Sequence, residues 1–165
     1  MPKIIMLRGN SGSGKSTVAK ALQEKLGRGT LLVSQDDVRR EMLWVRGGPD
    51  SKSIDLLKHL VLFGYKHCAF TILEGILYAD DHKELFRKIE EMFGDQAFAY
   101  YFDLPFEETL KRHEQKLKRN EWGELEMRKW WREKDVLANI CEKMIYKETS
   151  LDETVERILN DIQFE

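Results

Sequence analysis

The fold of this chain is decided by the stretch Gly9-Asn10-Ser11-Gly12-Ser13-Gly14-Lys15-Ser16-Thr17 near its start. This stretch matches the phosphate-binding pattern G-x-x-x-x-G-K-[ST] at every fixed position. Residues 4–7 before it form a short apolar run, which predicts a buried strand. After it, Val18, Leu22 and Leu26 have the spacing of one helix face. The sequence therefore predicts a strand, a glycine-rich loop and a helix in direct succession.

The residue types of this phosphate loop, residues 9–17, suit the phosphates of a nucleotide. Glycines let the backbone take positive φ and approach a ligand closely, and the loop N–H groups form an anion-binding nest. The helix N-terminus adds a partial positive charge. We expect the loop to bind ATP, Lys15 to reach the β- and γ-phosphates and act in catalysis, and the Ser16 hydroxyl to bind Mg²⁺. A chance turn rich in glycine and serine is the alternative, and the flanking strand and helix argue against it.

Length and composition indicate an ordinary globular protein. The 165 residues are 42% hydrophobic and 34% charged, with a net charge of −2, and we expect one domain over residues 1–165. No apolar run is long enough to span a membrane, and the first residues do not resemble a signal peptide. Cys68 and Cys141 have no metal-ligand spacing, so a reducing, cytoplasmic location is expected.

Strands and helices alternate along the rest of the chain. Strands are predicted at residues 31–33, 70–73, 97–102 and, more weakly, 143–146. Helices are predicted from residue 34 to about 44, at 53–66 and 81–92, from Pro105 onward, and after a capping box at 150–153. This order predicts an α/β fold, a parallel sheet between two helical layers. Because ligands bind at the carboxyl ends of such strands, we expect Gly9, Asp36, Glu74 and Asp103 along one rim.

Asp36 and Asp37 directly follow the second predicted strand. A hydroxyl that accepts a phosphoryl group needs a carboxylate to take or orient its proton, and Mg²⁺ needs anionic oxygens nearby. We expect Asp36 to be this catalytic carboxylate and a candidate metal ligand, and Asp37 to lie in solvent. Arg39, three residues after Asp36, is expected to bind the acceptor. The alternative is a helix-capping aspartate paired with a solvated arginine.

Glu74 ends the third predicted strand and has three interpretations. It is a candidate Mg²⁺ ligand, a carboxylate that binds the acceptor, or a structural residue. The four histidines show neither metal-ligand nor triad spacing, and we expect them on the surface or in the core.

A basic segment, residues 111–134, follows the fourth predicted strand and has the composition of a mobile lid. It contains nine Lys/Arg against five Glu, and Gly123 divides it into two predicted helical halves. Phosphoryl transfer needs cations on the migrating group and exclusion of water. We expect Arg119 to be catalytic, Arg112 to bind ATP, and Arg128 and Arg132 to bind the acceptor, although at least two of these four are expected to be solvated helix charges. The tryptophans of this lid segment are candidates to stack on a base or an acceptor, but Trp130 and Trp131 are more simply read as packing residues, because adjacent helical positions point in different directions.

Together these motifs resemble the small P-loop kinases of the nucleoside-monophosphate-kinase-like group. The stretch Gln35-Asp36-Asp37-Val38-Arg39 is similar to the kinase domain of phage polynucleotide kinase, to zeta toxin and to chloramphenicol phosphotransferase, and the lid segment resembles bacterial AAA-type ATP-binding kinases. The resemblance implies that Asp36 is the general base and that Arg39 contacts the acceptor. It also implies the P-loop three-layer α/β/α sandwich with an arginine-rich lid. The sequence lacks a hydrophobic-Asp Walker B strand, so Glu74 has to stand in for it.

These observations predict an ATP- and Mg²⁺-dependent kinase that phosphorylates a hydroxyl of a small molecule such as a nucleoside, a sugar or an antibiotic. A polynucleotide 5′-hydroxyl kinase is one alternative, and the near-neutral net charge does not favour a nucleic-acid partner. A nucleotide-binding switch or regulatory ATPase without a small acceptor is the other. Asp36 and the basic lid segment favour a kinase, because a switch needs neither an acceptor base nor a lid. The sequence indicates no membrane partner and does not fix the oligomeric state.

Overall fold

A five-stranded parallel sheet forms the centre of the computed structural model, which describes residues 1–116 and 121–164. Its strand order in these residues is β2-β3-β1-β4-β5, and every neighbouring pair is parallel. The strands are β1 (Lys3–Gly9), β2 (Leu31–Ser34), β3 (Phe70–Gly75), β4 (Ala97–Asp103) and β5 (Glu142–Tyr146). The phosphate loop thus leaves the middle strand, with the ends of β3 and β4 on either side of it.

Helices connect the strands and cover both faces of the sheet. A π-helical turn, Val38–Met42, continues α2, and a short 3₁₀ turn, Gly94–Gln96, leads into β4. The helices are α1 (Lys15–Leu26), α2 (Gln35–Asp37), α3 (Lys52–His67), α4 (Lys83–Phe93), α5 (Phe106–Glu114), α6 (Glu124–Trp130) and α7 (Leu151–Phe164). In the described residues, none of them is long and apolar enough to cross a membrane.

Alternating side chains of β1 build the two cores of the sandwich. Ile4 and Met6 pack with apolar residues of α3 and α4, whereas Ile5 and Leu7 pack with those of α1 and α7. All four side chains are fully buried, and burial of each stabilises the fold by about 1.5–3 kcal/mol. A strand buried on both faces is typical of a parallel sheet with helices on both sides. The predicted three-layer α/β/α fold is confirmed.

The strands lie where the sequence predicts them, whereas three helix boundaries differ. The helical turn after β2 ends at Met42, and not near Trp44, which takes a left-handed φ of 51°. Helix α4 begins at Lys83 and not at residue 81. The second half of the lid segment ends at Trp130, because Trp131 has an extended backbone. The capping box of α7 is present: the Ser150 hydroxyl accepts from the Glu153 N–H at 3.1 Å, and the Glu153 carboxylate accepts from the Ser150 N–H at 2.8 Å.

A buried guanidinium connects β1 to two loops beside the phosphate loop. Arg8 is 0% exposed, and its Nε and Nη2 donate to the Leu77 carbonyl oxygen at 3.1 and 2.9 Å. Its Nη1 donates to the Glu142 carboxylate at 2.7 Å, and its Nη2 lies 3.1 Å from an Asp135 carboxylate oxygen. A buried charge is tolerated only when it is paired and hydrogen-bonded. Arg8 therefore fixes the loop after β3 and the segment before β5 relative to the sheet.

Glu142→Ala is expected to lower the free energy of unfolding by about 3–5 kcal/mol, because it leaves a buried guanidinium without one of its carboxylates. Urea unfolding followed by circular dichroism measures the change. Asp55→Ala is the matched control, since it removes an ion pair with Lys58 in which the Asp55 side chain is 74% exposed, and it should cost at most about 1 kcal/mol. Equal losses in the two variants would contradict a dominant role for the buried pair.

Candidate active site

Close packing fixes the path of the phosphate loop. A Cβ atom at Gly12, where φ is +78°, would lie 2.5 Å from the Thr109 carbonyl oxygen. A Cβ atom at Gly9 would lie 2.9 Å from the Phe102 carbonyl oxygen. Neither distance admits a side chain, so both positions require glycine. The loop is therefore seated against the end of β4 and the first turns of α5.

Lys15 lies inside the phosphate loop rather than in solvent. Its side chain is buried, and its Nζ donates to the Asn10 carbonyl oxygen at 2.8 Å and to the Ser13 hydroxyl at 3.1 Å. Burial lowers the pKa of Lys15 to about 8, although the nearby Glu74 carboxylate opposes this shift. A desolvated ammonium group held among loop oxygens is arranged to exchange those partners for phosphate oxygens.

Ser16 and Glu74 bring two oxygen groups together at the first turn of α1. The Ser16 hydroxyl donates to the Glu74 carboxylate at 3.1 Å, and Glu74 is 5% exposed. Oxygen donors of this kind suit Mg²⁺. In the described residues, no three His, Cys, Asp or Glu side chains cluster as a metal site. The pair therefore fits a metal ion that takes its remaining ligands from phosphate oxygens and water.

Asp36 lies at the same end of the sheet, in α2 between the end of β2 and the π-helical turn. Its Oδ1 lies 3.0 Å from Arg39 Nη2 and 2.9 Å from Arg40 Nε. Both arginines contact the same oxygen, and Oδ2 accepts no hydrogen bond from a described residue. Asp37 is exposed and is not among the residues that line the cavity described below. The structure thus leaves one carboxylate oxygen of Asp36 available to a ligand.

A cavity of about 480 Å³ joins these groups into one site. Residues 11–16 of the loop line it, together with Glu74, Asp36, Arg39 and Arg40. Ser51 and Ser53 also line it, before and within the first turn of α3. A volume of this size is typical of small-molecule sites. The phosphate loop and the Asp36 carboxylate therefore open onto a common, ligand-sized space.

Several lining residues were not predicted from the sequence. Trp130, which was read as a packing residue, lines this cavity together with Trp122, and so do His82, His113 and Tyr78. His82 hydrogen-bonds the Tyr78 carbonyl oxygen through Nδ1 at 3.0 Å, and burial lowers its pKa. His113 hydrogen-bonds the Trp122 carbonyl oxygen through Nε2 at 2.7 Å and stacks on the indole. Two of the lining residues had only weak signals in the sequence. Tyr78 lies in the loop that follows a predicted strand, and Arg40 is the second residue of the Arg39-Arg40 pair.

A second cavity, of about 410 Å³, lies on the other side of the phosphate loop. Ser13, Gly14 and Thr17 line it together with residues 145–151, between β5 and α7. Arg112 also lines it, and its Nη1 donates to the Ser13 carbonyl oxygen at 3.1 Å while its Nε donates to Glu108 at 2.9 Å. Lys116, which was not singled out in the sequence, lines both cavities. The structure therefore brings Arg112 to the loop.

The other lid arginines lie in different surroundings. Arg132 is held through its backbone, because the Asn10 side chain donates to its carbonyl oxygen at 2.7 Å and accepts from its N–H at 3.0 Å. Its guanidinium lies 3.8 Å from the centre of the Tyr78 ring. Arg128 lies over the Phe106 ring and pairs with a glutamate on its own helix, so it does not line the cavity. Arg119 lies outside the described residues.

Comparison with known proteins agrees with this architecture. A family model described as an AAA domain matches residues 4–140. No significant match is found among curated proteins.

Solved structures with the same fold include three bacterial proteins. The APS kinase CysC of Mycobacterium tuberculosis, in complex with AMPPNP and APS, is similar with a TM-score of 0.68 and 21% identity over 99% of this chain and 98% of that chain. A gluconokinase from Sinorhizobium meliloti has a TM-score of 0.67 and 14% identity, over 99% of this chain and 97% of that chain. The Deinococcus radiodurans tunicamycin resistance protein has a TM-score of 0.66 and 14% identity, over 98% of this chain and 96% of that chain. The predicted resemblance to small P-loop kinases is confirmed, and the chain has their fold.

Lys15→Ala is expected to abolish ATP binding or weaken it severely, because the loop loses its charge on the β- and γ-phosphates. Isothermal titration calorimetry with Mg²⁺ measures the affinity. Lys20→Ala, an exposed lysine on α1 outside the lining of both cavities, is the control. Wild-type affinity in the Lys15 variant would show that the phosphate loop is assigned wrongly.

The affinity for ATP is expected to fall as the pH rises above about 8. The lowered pKa of Lys15 means that the free protein loses this positive charge at about pH 8, whereas bound phosphates favour the charged form. Binding then requires uptake of one proton, and the dissociation constant should rise about tenfold per pH unit above that value. Calorimetry between pH 7 and 9.5 tests this, and an affinity that stays constant over the range would contradict it.

Proposed function

This chain belongs to the AAA domain family, and from that premise we propose that it is a kinase that uses ATP and Mg²⁺ to phosphorylate a hydroxyl of a small molecule. One observation carries the proposal. The phosphate loop and Asp36, whose Oδ2 accepts no hydrogen bond from a described residue, line a single cavity of about 480 Å³. A nucleotide-binding switch has no need of a carboxylate placed across a ligand-sized space from the terminal phosphate. We propose that residues 1–165 act as one kinase domain.

The two cavities suggest how ATP would bind. The triphosphate would follow the loop, with Lys15 on the β- and γ-phosphates, and the base would occupy the second cavity beside Arg112. The Ser16 hydroxyl and the Glu74 carboxylate would hold Mg²⁺, which neutralises phosphate charge when it is bound. The γ-phosphate then points from the loop into the first cavity, because residues 13–14 line both spaces.

Transfer in this arrangement needs one proton acceptor and fixed positive charge. The acceptor hydroxyl oxygen forms a bond to the γ-phosphorus while the bond from that phosphorus to the ADP oxygen breaks. Asp36 Oδ2 takes the hydroxyl proton, and Arg39 and Arg40 hold the carboxylate in place through Oδ1. Lys15 and Lys116 supply positive charge on the two sides of the migrating group.

We also propose that residues 111–134 act as the lid of this site. His113, Lys116, Trp122 and Trp130 from this segment line the first cavity, where a closed lid would exclude water. The backbone of Arg132 is anchored to the loop residue Asn10 by two hydrogen bonds, which tie the end of this segment to the phosphate loop.

Transition-state stabilisation by Arg119 remains a prediction, and Arg119→Ala tests it through a loss in kcat larger than the change in KM for ATP.

A screen of ADP release across nucleosides, sugars, aminoglycosides and oligonucleotides with a 5′-hydroxyl tests the function. A small hydroxyl compound should raise ADP release well above the rate without acceptor. Stimulation by oligonucleotides alone would favour a polynucleotide kinase, and ATP hydrolysis that no acceptor stimulates would favour a switch.

Asp36→Asn is expected to lower turnover by about 10²–10⁴-fold while ATP affinity is retained, because the amide cannot accept the hydroxyl proton. Asp37→Asn is the matched control, since Asp37 is exposed one residue away and lies outside the cavity. Steady-state phosphoryl transfer and calorimetry measure the two quantities. Greater damage in the Asp37 variant would move the catalytic role to that residue, and small, equal losses would favour the switch.

A further inference from the structure

We infer that the acceptor carries an oxyanion group, a carboxylate, phosphate or sulfate, which Arg40 binds beside the hydroxyl that is phosphorylated. The inference rests on the proposed kinase function and adds the chemical class of its substrate. It assigns the recognition of the acceptor's charge to a residue that the sequence motifs did not mark.

Arg40 is held rigidly in the wall of the first cavity. Its guanidinium carbon lies 4.6 Å from the ring centre of Trp122 and 5.7 Å from that of Trp130. The two indoles contact each other edge to face, and Trp122 stacks on His113. Indole faces attract a guanidinium and remove water from it. The charge of Arg40 is thus fixed in position and partly desolvated before any ligand binds.

The hydrogen-bonding capacity of Arg40 is largely unused. Its Nε lies 2.9 Å from Asp36 Oδ1 but is not aligned for a hydrogen bond, and in the described part of the chain its two Nη groups donate to no protein atom. The side chain is 30% exposed and lines the cavity. Among the described residues, Trp122 Nε1 is likewise buried without a hydrogen-bond partner. Both residues offer only donors, so the group that satisfies them must be a hydrogen-bond acceptor.

The charges around Asp36 favour an anion over a neutral acceptor group. One carboxylate oxygen is shared by two guanidinium groups, Arg39 and Arg40, so a positive charge is left over at this point. Guanidinium groups bind carboxylate, phosphate and sulfate oxygens through paired, charge-assisted hydrogen bonds. Because Arg40 also contacts Asp36, the oxyanion and the reacting hydroxyl must lie a few bonds apart on one compact molecule. Hydroxy acids, sugar acids and phosphorylated or sulfated sugars and nucleosides have this form.

Matched pairs of compounds test the inference by binding alone. The pairs are glycerate and glycerol, gluconate and sorbitol, and adenosine 5′-monophosphate and adenosine, each titrated into protein saturated with Mg²⁺ and AMPPNP so that the nucleotide cavity is filled. Tryptophan fluorescence reports binding, since Trp122 and Trp130 contact Arg40. The charged member of at least one pair should bind ten or more times as tightly as its neutral partner. Preference for gluconate or glycerate identifies a carboxylate, and preference for the nucleotide identifies a phosphate.

Three variants separate recognition of charge from a general loss of structure. Arg40→Ala should reduce the preference for the charged compound to less than threefold with unchanged AMPPNP affinity, and Arg40→Lys should restore part of it. Arg87→Ala, an exposed arginine on α4 that pairs with two glutamates outside the cavity, should leave the preference intact. No preference in the wild type, or a preference that survives Arg40→Ala, would overturn the inference.

Asp36→Asn keeps the test independent of the kinase proposal. This variant should lose phosphoryl transfer yet bind the charged compound at least as tightly as the wild type, because it removes a carboxylate that competes for Arg40. If the wild type binds charged compounds through Arg40 but phosphorylates none of them, the proposed kinase function fails and the oxyanion site stands. If neutral compounds are phosphorylated equally well by the wild type and Arg40→Ala, the oxyanion site fails and the kinase function stands.

Discussion

The structure depends on a positive charge buried in its central strand. Arg8 lies one residue before the phosphate loop and has no exposed surface. Removing a guanidinium from water costs several kcal/mol, and only nearby carboxylates and carbonyl oxygens offset that cost. Asp135, Glu142 at the start of β5 and the Leu77 carbonyl oxygen meet this need from parts of the chain that are distant in sequence. The charge therefore selects one arrangement of those parts around the carboxyl end of β1.

That arrangement extends outward into the walls of the cavity. The Asp135 carboxylate also accepts from the Ala79 N–H at 2.9 Å, so the loop carrying Tyr78 is tied to the segment that follows the lid. Tyr78 in turn donates to the Trp130 carbonyl oxygen, and its ring lies under Arg132. Asn10 adds two hydrogen bonds from the phosphate loop to Arg132, within the lid segment itself. Polar contacts thus run from the sheet interior to the lid segment.

The chemistry of the site follows from bringing opposite charges to one rim. The parallel strands place the phosphate loop, Glu74 and the Asp36 turn at the same end of the sheet. At that rim, Asp36 contacts two arginines through Oδ1, while Oδ2 accepts no hydrogen bond from a described residue. The same contacts leave the Nη donors of Arg40 without a hydrogen-bond acceptor among the described residues. Proton transfer and recognition of an anionic substrate would therefore be provided by neighbouring atoms.

The sequence by itself determined the phosphate loop, the strands and the positions of Asp36 and Glu74 at the rim, because those features depend on local spacing and on alternation along the chain. Lys15 and Ser16 lie where the motif predicts them for the same reason. Tertiary structure alone decided which lid residues face the cavity: Arg112 reaches the loop, Arg128 turns to Phe106, and Trp122 and Trp130 line the site. It also decided the role of Arg8 and the surroundings of Arg40. Those depend on contacts between residues up to 134 positions apart, and no pattern of neighbouring residues records such contacts.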